Sequence, residues 1–385
     1  MLSFSNVRLL VHTGMVCSLL LSGCHRKISD PVDTTRSQQI VHAAETGFRE
    51  IITEKGFDLT VTNPWQGSEK PQFTYILDRN LPAEHQGWKP GDDIRIPVRR
   101  VICTSTTHIA FLKALGKTDH IVGISGKTLI SDSTVLENII KGTIEDIGYD
   151  RQIDYEKIVA LQPDIIFMYG VDKQVSGVIE RIQRLGIPVV VVGDYLEPSL
   201  LARAEWIRFF AAFFDEDERG AHYFDSISYV YNRLLSSVPQ DHQPKVMAGL
   251  PWNEVWYVSG QGSLLSNTLR DAGGRYIFSS LKSSEAIPMD IEQVYKIGKN
   301  ADIWVNAGSA KSLEEIKAMD SRLGMFRPVK TGMVFNNDKR VTSRGGNDYW
   351  ESGVTSPDRI LSDLIAIFHP DIFPGHTLYY YRKLP

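Results

Sequence analysis

The chain is poor in cysteine, with three in 385 residues, at positions 17, 24 and 103. So few thiols exclude a cysteine-rich zinc or iron–sulfur site. Cys103 stands in Arg100-Val101-Ile102-Cys103-Thr104, which predicts a buried strand, so we expect it to pack as a small core residue. The other two belong to the segment before the folded part, so we expect no intrachain disulfide in the mature protein.

The chain also lacks a strong charge of one sign and a long apolar run. Its formal net charge is −4, from 42 basic and 46 acidic residues, so no nucleic-acid partner is expected. The longest candidate for a membrane segment, residues 11–21, is too short to cross a bilayer. The ten histidines form no H-x-H or H-x₃-H pair, which argues against a site for bare zinc or manganese.

Enzyme motifs are missing as well. The sequence has no G-x-S-x-G, H-E-x-x-H, Walker A or G-x-G-x-x-G pattern, each of which carries a known catalytic or phosphate-binding mechanism. Gly260 and Gly262 form a G-x-G without the third glycine, which is typical of a turn. We therefore expect neither an enzyme nor a resident cofactor, although an envelope hydrolase or dehydrogenase stays an alternative that a turnover assay would test.

The N-terminus has the features of a secretion signal. Arg8 supplies a weakly positive start, the apolar stretch 11–21 follows, and Leu21-Ser22-Gly23-Cys24 resembles the lipobox of bacterial lipoproteins. We predict a signal peptide over 1–23, a lipidated Cys24 and a polar tether over 24–39. Acyl chains on Cys24 would anchor the protein to a membrane of the cell envelope, facing the periplasm or the exterior.

A pattern of a glutamate, apolar residues at helical spacing, a polar break, an Asp and an apolar strand occurs twice, at 155–167 and at 291–305. Strands alternate with helices around both copies, which indicates two Rossmann-like α/β lobes with parallel sheets. We place an N-terminal extension at 40–96, a first lobe at 97–198, bridging helices at 199–240 and a second lobe at 241–385. A helix over 219–238 would join the lobes as a stiff backbone about 30 Å long, with a cleft between them.

The extension is predicted to hold a short helix over 41–53 and strands over 57–61 and 73–77. At the other end of the chain, the aromatic tail Tyr379-Tyr380-Tyr381 is expected to pack back on the fold. These two expectations rest on local pattern alone.

Several stretches in order resemble the helical-backbone class of periplasmic substrate-binding proteins, which serve ABC importers of siderophores, cobalamin and haem. The matching stretches are residues 98–126, 156–170, 185–194, 262–274, 292–305 and 350–361. The resemblance covers about residues 97–370 and implies a monomer that delivers its cargo to a dimeric membrane permease. In that family one exposed glutamate on each lobe docks into arginine pockets of the permease, and these positions fall on Glu156 and Glu292.

The ligand should meet the loops at the carboxyl ends of the strands. Candidate ligand contacts in the first lobe and then in the second are Ser105, Thr106, His108, Tyr169, Tyr195, Trp252, Arg344, Tyr349 and Trp350. Flat aromatic faces suit a porphyrin, a corrin or a catechol, and Arg344 and Lys127 would meet an anionic cargo. We expect Trp256 to be core.

The sequence therefore predicts a lipid-anchored receptor that captures a metal chelate, a ferric siderophore first, with cobalamin or haem as alternative cargoes. A structural or adhesive lipoprotein is the remaining class, and it would need neither a cleft nor paired docking glutamates.

Overall fold

The computed structural model describes residues 39–40, 46–68, 73–82, 88–149, 152–170, 175–239, 241–283 and 285–385. The predicted signal peptide, Cys24 and nearly all of the tether lie outside these residues. No helix among those described is both long enough and apolar enough to cross a membrane.

The N-terminal extension is a small sheet whose strands follow chain order. Its strands are β1 (Gln39–Ile40), β2 (Phe48–Ile52), β3 (Gly56–Val61), β4 (Phe73–Asp78) and β5 (Ile94–Arg95). All neighbours are antiparallel except β4 and β5. The expected strands at 57–61 and 73–77 are confirmed.

The predicted helix over 41–53 is wrong where the structure describes it, because residues 48–52 form β2. Phe48 and Glu50 face inward and Arg49 faces solvent, which is the alternation of a strand. The helix was predicted because apolar residues recur three and four positions apart in this segment. Gly47 and the β-branched pair at 51–52 favour a strand instead.

The extension is fastened to the first lobe by buried hydrogen bonds. The Glu197 carboxylate accepts from the backbone N–H of Gly47 at 2.7 Å and from Nε1 of Trp206 at 2.6 Å. The Tyr75 hydroxyl oxygen accepts a hydrogen bond from the backbone N–H of Val191 at 2.7 Å. These contacts make the extension part of the first lobe's packing.

The first lobe is a parallel sheet with helices between its strands. The strands are β6 (Val101–Cys103), β7 (Ile121–Ile124), β8 (Glu145–Asp146), β9 (Ile165–Met168) and β10 (Val189–Val191). The helices are α1 (Thr106–Ala114), α2 (Ser133–Ile140), α3 (Tyr155–Leu161) and α4 (Val175–Gln183). The spatial order is β10-β9-β6-β7-β8, and nearly every residue of β6, β7, β9 and β10 is buried, as expected for a parallel sheet covered on both faces.

Two consecutive helices connect the lobes: α5 (Leu200–Phe213) and α6 (Asp217–Ser237). The first residue of α5, Leu200, belongs to the second lobe's core, whereas Trp206 to Phe213 fill the core of the first. α6 has 21 residues and is therefore about 30 Å long. The predicted bridging helix is confirmed.

The second lobe repeats the alternation. Its strands are β11 (Lys245–Ala248), β12 (Val255–Ser259), β13 (Arg275–Tyr276), β14 (Ala286–Asp290), β15 (Ile303–Val305), β16 (Val334–Asn336) and β17 (Arg382–Lys383). Its helices are α7 (Leu264–Asp271), α8 (Ile291–Gly298), α9 (Leu313–Met319), α10 (Arg327–Thr331), α11 (Asp348–Glu351) and α12 (Pro357–Phe368). The main sheet runs β13-β11-β15-β16-β17, parallel except for β17, and β12 pairs with β14 in a separate two-stranded antiparallel sheet. α6 packs against both α5 and α12.

The strand order places a crevice in each lobe. In the first sheet the order reverses at β6, which lies between β9 and β7, and ligands of such sheets bind beyond the carboxyl ends of the strands at this reversal. The second sheet has the same reversal at β11, between β13 and β15. Two α/β lobes, parallel sheets, a long joining helix and a cleft between the lobes are therefore confirmed.

Candidate functional site

The first wall of the cleft is the turn from β6 into α1. Ser105 is the N-cap of α1, and its hydroxyl accepts a hydrogen bond from the backbone N–H of Thr107 at 3.3 Å, as small hydroxyl residues do at helix starts. Thr107 in turn donates to Asp194 at 3.4 Å. Ser105 and Thr106 stay partly exposed and line a cavity of about 280 Å³.

Tyrosines from three loops surround the same cavity. Tyr169 follows β9, Tyr195 follows β10, and Tyr149 lies beyond β8. The hydroxyls of Tyr149 and Tyr169 are 3.4 Å apart, and Tyr195 donates to the carbonyl oxygen of Gly170 at 2.7 Å. The first lobe thus offers the cleft hydroxyl groups on aromatic rings.

The second wall is aromatic and comes from α11. Tyr349 and Trp350 pack edge to face with ring centroids 4.7 Å apart, a favoured geometry for aromatic pairs. Tyr349 also contacts Tyr380 and Tyr381 at 5.8 Å each, and these two tail residues are buried in the second lobe. The expectation that the tail packs back on the fold is confirmed, and burial raises the pKa of Tyr349 above its ordinary value.

Trp350 joins two neighbouring cavities. It lines the cavity of about 280 Å³ in the first lobe and a second cavity of about 230 Å³ that includes Tyr349, Asn306 and Tyr381. Its side chain is 52% exposed, although a tryptophan of a monomeric fold is usually well buried. The structure therefore brings the predicted residues Ser105, Thr106, Tyr169, Tyr195, Tyr349 and Trp350 to one cleft.

Arg203 is a cleft residue that the sequence did not reveal. It lines both cavities, and its Nε donates to Oδ2 of Asp194 at 3.0 Å. Its pattern in the sequence is that of a polar position on the helix at 200–214, so nothing local distinguishes it. Asp194 is buried and almost cancels the charge of the guanidinium, so this part of the cleft is close to neutral.

His108 is not a ligand contact, which corrects the prediction. The side chain is fully buried in the first lobe, with its ring centroid 6.1 Å from that of Phe167 and 5.6 Å from that of Phe210. Burial lowers the pKa of His108 to about 4, so the ring is neutral. The residue lies on the inner face of α1 together with Phe111 and Leu112, three and four residues further along, which are also buried.

Three other predicted contacts line neither cavity. Trp252 lies on an exposed turn with 70% of its surface accessible, Arg344 is exposed on a loop, and Lys127 is exposed at the start of a short 3₁₀ helix, Lys127–Leu129. These two cavities therefore do not include the two cations that were expected to meet an anionic cargo. Trp256 and Cys103 are core residues, as expected, and burial raises the pKa of the Cys103 thiol.

The two candidate docking glutamates occupy equivalent positions. Glu156 lies in the first turn of α3 after the N-cap Asp154, and Glu292 lies in the first turn of α8 after the N-cap Asp290. Both are exposed. They differ in one respect: Glu292 forms an ion pair with Arg322, while Glu156 has no ion pair among the described residues.

Within the part of the chain that the structure describes, no three or more His, Cys, Asp or Glu side chains converge as a metal site. The chemistry available at the cleft is thus that of hydroxyl groups, aromatic faces and one balanced ion pair. Such a lining binds a ligand by shape, stacking and hydrogen bonds.

Known proteins resemble this chain along most of its length. A model of the family described as "Periplasmic binding protein" matches residues 101–340. A lipoprotein of Methanocaldococcus jannaschii is 27% identical over 349 residues, covering 84% of this chain and 81% of the relative.

Solved structures share the fold at low sequence identity. A possible iron-binding periplasmic solute-binding protein from Staphylococcus epidermidis has a TM-score of 0.56 at 19% identity, covering 70% of this chain and 98% of its own. A periplasmic haem-binding protein from Pseudomonas aeruginosa has a TM-score of 0.55 at 17% identity, covering 73% of this chain and 96% of its own. The chain belongs to the periplasmic binding protein family, the substrate-binding components of ABC importers.

Proposed function

We propose that the protein is a lipid-anchored receptor that captures a ferric siderophore in the cleft between its lobes and delivers it to a membrane permease. The observation that carries this proposal is the pairing of two unlike walls, hydroxyl-bearing on the first lobe and aromatic on the second, with Trp350 shared by two cavities. An iron chelate presents both surfaces to a protein, since polar ligand atoms surround the metal and an organic shell surrounds them.

The charge of the cleft favours an uncharged chelate. Arg203 is balanced by Asp194, and the exposed cations Arg344 and Lys127 line neither cavity. A triply negative ferric catecholate would leave most of its charge unpaired there, whereas a ferric hydroxamate carries little net charge. We therefore place the hydroxamate class first among ferric siderophores.

Cobalamin and haem are the alternative cargoes. Both are flat macrocycles that stack on aromatic rings, as Tyr349 and Trp350 would allow. The haem-binding name of one structural relative belongs to that protein, and its likeness to this chain supports the alternative only through the shared fold.

Delivery is assigned to the two equivalent glutamates. Glu156 and Glu292 each stand in the first turn of a helix on a different lobe, where a carboxylate is favoured by the helix dipole. An exposed carboxylate accepts two hydrogen bonds from one guanidinium, so the pair suits arginine pockets on the two halves of a permease dimer.

The anchor is assigned to Cys24, in agreement with the lipoprotein name of the relative from M. jannaschii. Replacing Cys24→Ala would remove the site of acylation. We expect the protein to leave the membrane fraction and appear in soluble extracts, and continued membrane association of the variant would contradict the anchor.

The test of cargo is a calorimetric titration of the soluble form, which begins after Cys24. The probes are ferrioxamine B, a ferric tricatecholate, cobalamin and haemin. We expect saturable binding of ferrioxamine B with a Kd in the micromolar range or tighter, which corresponds to a binding free energy of about −8 kcal/mol or more negative. If cobalamin or haemin binds more tightly than ferrioxamine B, that compound is the cargo instead of a siderophore. No heat of binding with any probe would overturn the proposal.

A further inference from the structure

A second connection between the lobes lies beside the cleft, in the segment that carries Trp350. Tyr349 packs on the second lobe's core, whereas Val354, five residues later, belongs to the core of the first. The Tyr223 hydroxyl of α6 donates to the carbonyl oxygen of Thr355 at 3.0 Å. Residues 346–355 are therefore held by both lobes, and Trp350 lies within the held segment.

The segment meets the first lobe at a tight backbone contact. A Cβ atom placed on Gly346 would lie 2.2 Å from the carbonyl oxygen of Ile130, so only glycine allows this approach. The backbone N–H of Ser131 donates to Oε2 of Glu351 at 2.7 Å, and the Ser131 hydroxyl donates to Asp348 at 3.4 Å. We name these hydrogen bonds the Ser131 contact.

The Ser131 contact joins the two walls of the ligand cleft. Leu129, two residues before Ser131, lines the same cavity as Trp350, one residue before Glu351. The hydrogen bond between Ser131 and Glu351 thus lies two residues from Leu129 on one wall and one residue from Trp350 on the other. Glu351 itself is buried and lines neither of the two cleft cavities, so it acts through its neighbours.

We propose that Glu351 is a positioning residue: its hydrogen bond with Ser131 holds Trp350 against the first lobe and thereby sets the affinity of the cleft for its cargo. The effect on cargo affinity rests on the proposed function, whereas the positioning of Trp350 by Glu351 rests on geometry alone.

Charged groups surround Glu351 from each packed element. Asp132 caps α2 and pairs with Lys113 of α1, and Asp348 pairs with Arg340 at 2.6 Å. Lys339 and Arg359 line a polar cavity of about 660 Å³ that Glu351 also lines and Trp350 does not. Among the described residues no basic side chain forms an ion pair with Glu351, because the nearest cations are taken by the two aspartates.

The contact depends on pH because Glu351 is buried. Burial, the largest cause, raises the pKa of Glu351 to about 7 from the ordinary 4.5, together with the charges of Asp132 and Asp348 and against the lowering effect of the hydrogen bonds from Ser131. If the contact opens, water reaches the carboxyl and its pKa falls toward the ordinary value. The closed contact then holds a proton that the open one has lost, so acidification from pH 8 to pH 6 favours the closed form by at most about tenfold.

Two variants separate the hydrogen bond from the charge. Glu351→Gln keeps an acceptor for Ser131 and removes the titration, whereas Glu351→Ala removes the acceptor. We expect the Ser131 amide to exchange slowly in wild type and Glu351→Gln, and at least about tenfold faster in Glu351→Ala, measured residue by residue by NMR. Unchanged exchange in Glu351→Ala, with the fold intact by circular dichroism, would overturn the positioning role.

Cargo affinity supplies the second readout. Titration with ferrioxamine B at pH 6 and pH 8 should show a several-fold gain at pH 6 for wild type and a smaller change for Glu351→Gln. Equal pH dependence in both proteins would overturn the role of Glu351 in affinity. Failure of wild type to bind any of the four probes would overturn the proposed function instead, and the exchange experiment would still decide whether Glu351 makes the contact.

Discussion

The two lobes have the same architecture but build their sides of the cleft in different ways. The first lobe presents Ser105, Thr106 and Tyr169 directly from the ends of β6 and β9. The second presents Tyr349 and Trp350 from α11, after a loop that follows β16. A strand end is fixed by the sheet, whereas a short helix is fixed by whatever it packs on, so the polar wall is rigid and the aromatic wall depends on contacts between lobes.

The lobes also differ at their two candidate docking glutamates. Glu156 and Glu292 follow equivalent helix caps, yet Glu292 is held by Arg322 and Glu156 has no ion pair among the described residues. Repetition of a pattern in the sequence thus predicts equivalent positions and not equivalent electrostatics.

The largest effect is expected from removing the two candidate docking glutamates, one on each lobe. Glu156→Ala combined with Glu292→Ala should abolish uptake of ferric siderophore by cells and leave cargo affinity unchanged, since neither residue lines the cleft. The measurements are uptake of ⁵⁵Fe-labelled ferrioxamine B and calorimetry. Glu180→Ala with Glu314→Ala is the matched control, because these glutamates are similarly exposed on helices of the same two lobes. Normal uptake in the first double variant would refute docking.

The next effect tests the aromatic wall. Trp350→Ala should weaken binding of ferrioxamine B by about 5–150-fold, which corresponds to a loss of about 1–3 kcal/mol for an aromatic contact buried by the cargo. Trp252→Ala is the control, because Trp252 is exposed and lines neither cavity, and its affinity should stay within about twofold of wild type. If both variants bind alike, Trp350 does not contact the cargo.

A smaller effect, on stability, is expected at Glu197, which bonds to the N-terminal extension that only the first lobe carries. Burial raises the pKa of Glu197 to about 7, so the folded protein keeps a proton that the unfolded chain loses at lower pH. This contribution to stability is present below pH 4.5 and is lost as the pH rises to about 7, by on the order of 3 kcal/mol. Glu197→Gln should flatten that part of the pH dependence of the unfolding free energy in urea.

Glu351 contributes a second slope of the same sign, so the difference between wild type and Glu197→Gln isolates Glu197. Glu197→Ala is the control that loses the bonds to Gly47 and Trp206, and it should be less stable at every pH. A Glu197→Gln variant with the wild-type slope would show that this carboxyl is not protonated in the fold.

The smallest effect tests the asymmetry of the glutamates. Arg322→Ala releases Glu292 for a permease arginine, and surface ion pairs contribute at most about 1 kcal/mol. We expect a gain of a few-fold in affinity for permease vesicles, measured by surface plasmon resonance. Lys317→Ala removes a nearby cation that pairs with Glu314 instead and should have no effect. Weaker docking in Arg322→Ala would show that Arg322 itself contacts the permease.

The sequence predicted most of the fold and several residues that line the two cavities, including Ser105 and Tyr169 on the first wall and Tyr349 and Trp350 on the second. Alternation of strands and helices, the bridging helix and the loops after β6 and β9 are local patterns, and they lie where expected. His108 was misplaced because a polar residue near a helix start was assumed to face the cleft, whereas the cluster of Phe167 and Phe210 encloses it.

Contacts between distant segments could not be read from local pattern. Arg203 enters the cleft because α5 crosses from one lobe to the other, and Ser131 meets Glu351 across 220 residues of chain. Position 346 is a further example: it requires glycine because the carbonyl oxygen of Ile130 lies too close for a Cβ atom, and not because of its own turn.

The most direct test of a cargo site between the lobes is amide hydrogen exchange of the soluble form with and without saturating ferrioxamine B. The account predicts slower exchange in residues 104–107 and 169–170 of the first lobe together with residues 349–351 of the second. Slower exchange confined to one lobe, or located in the extension or around the polar cavity of Lys339 and Arg359, would contradict it.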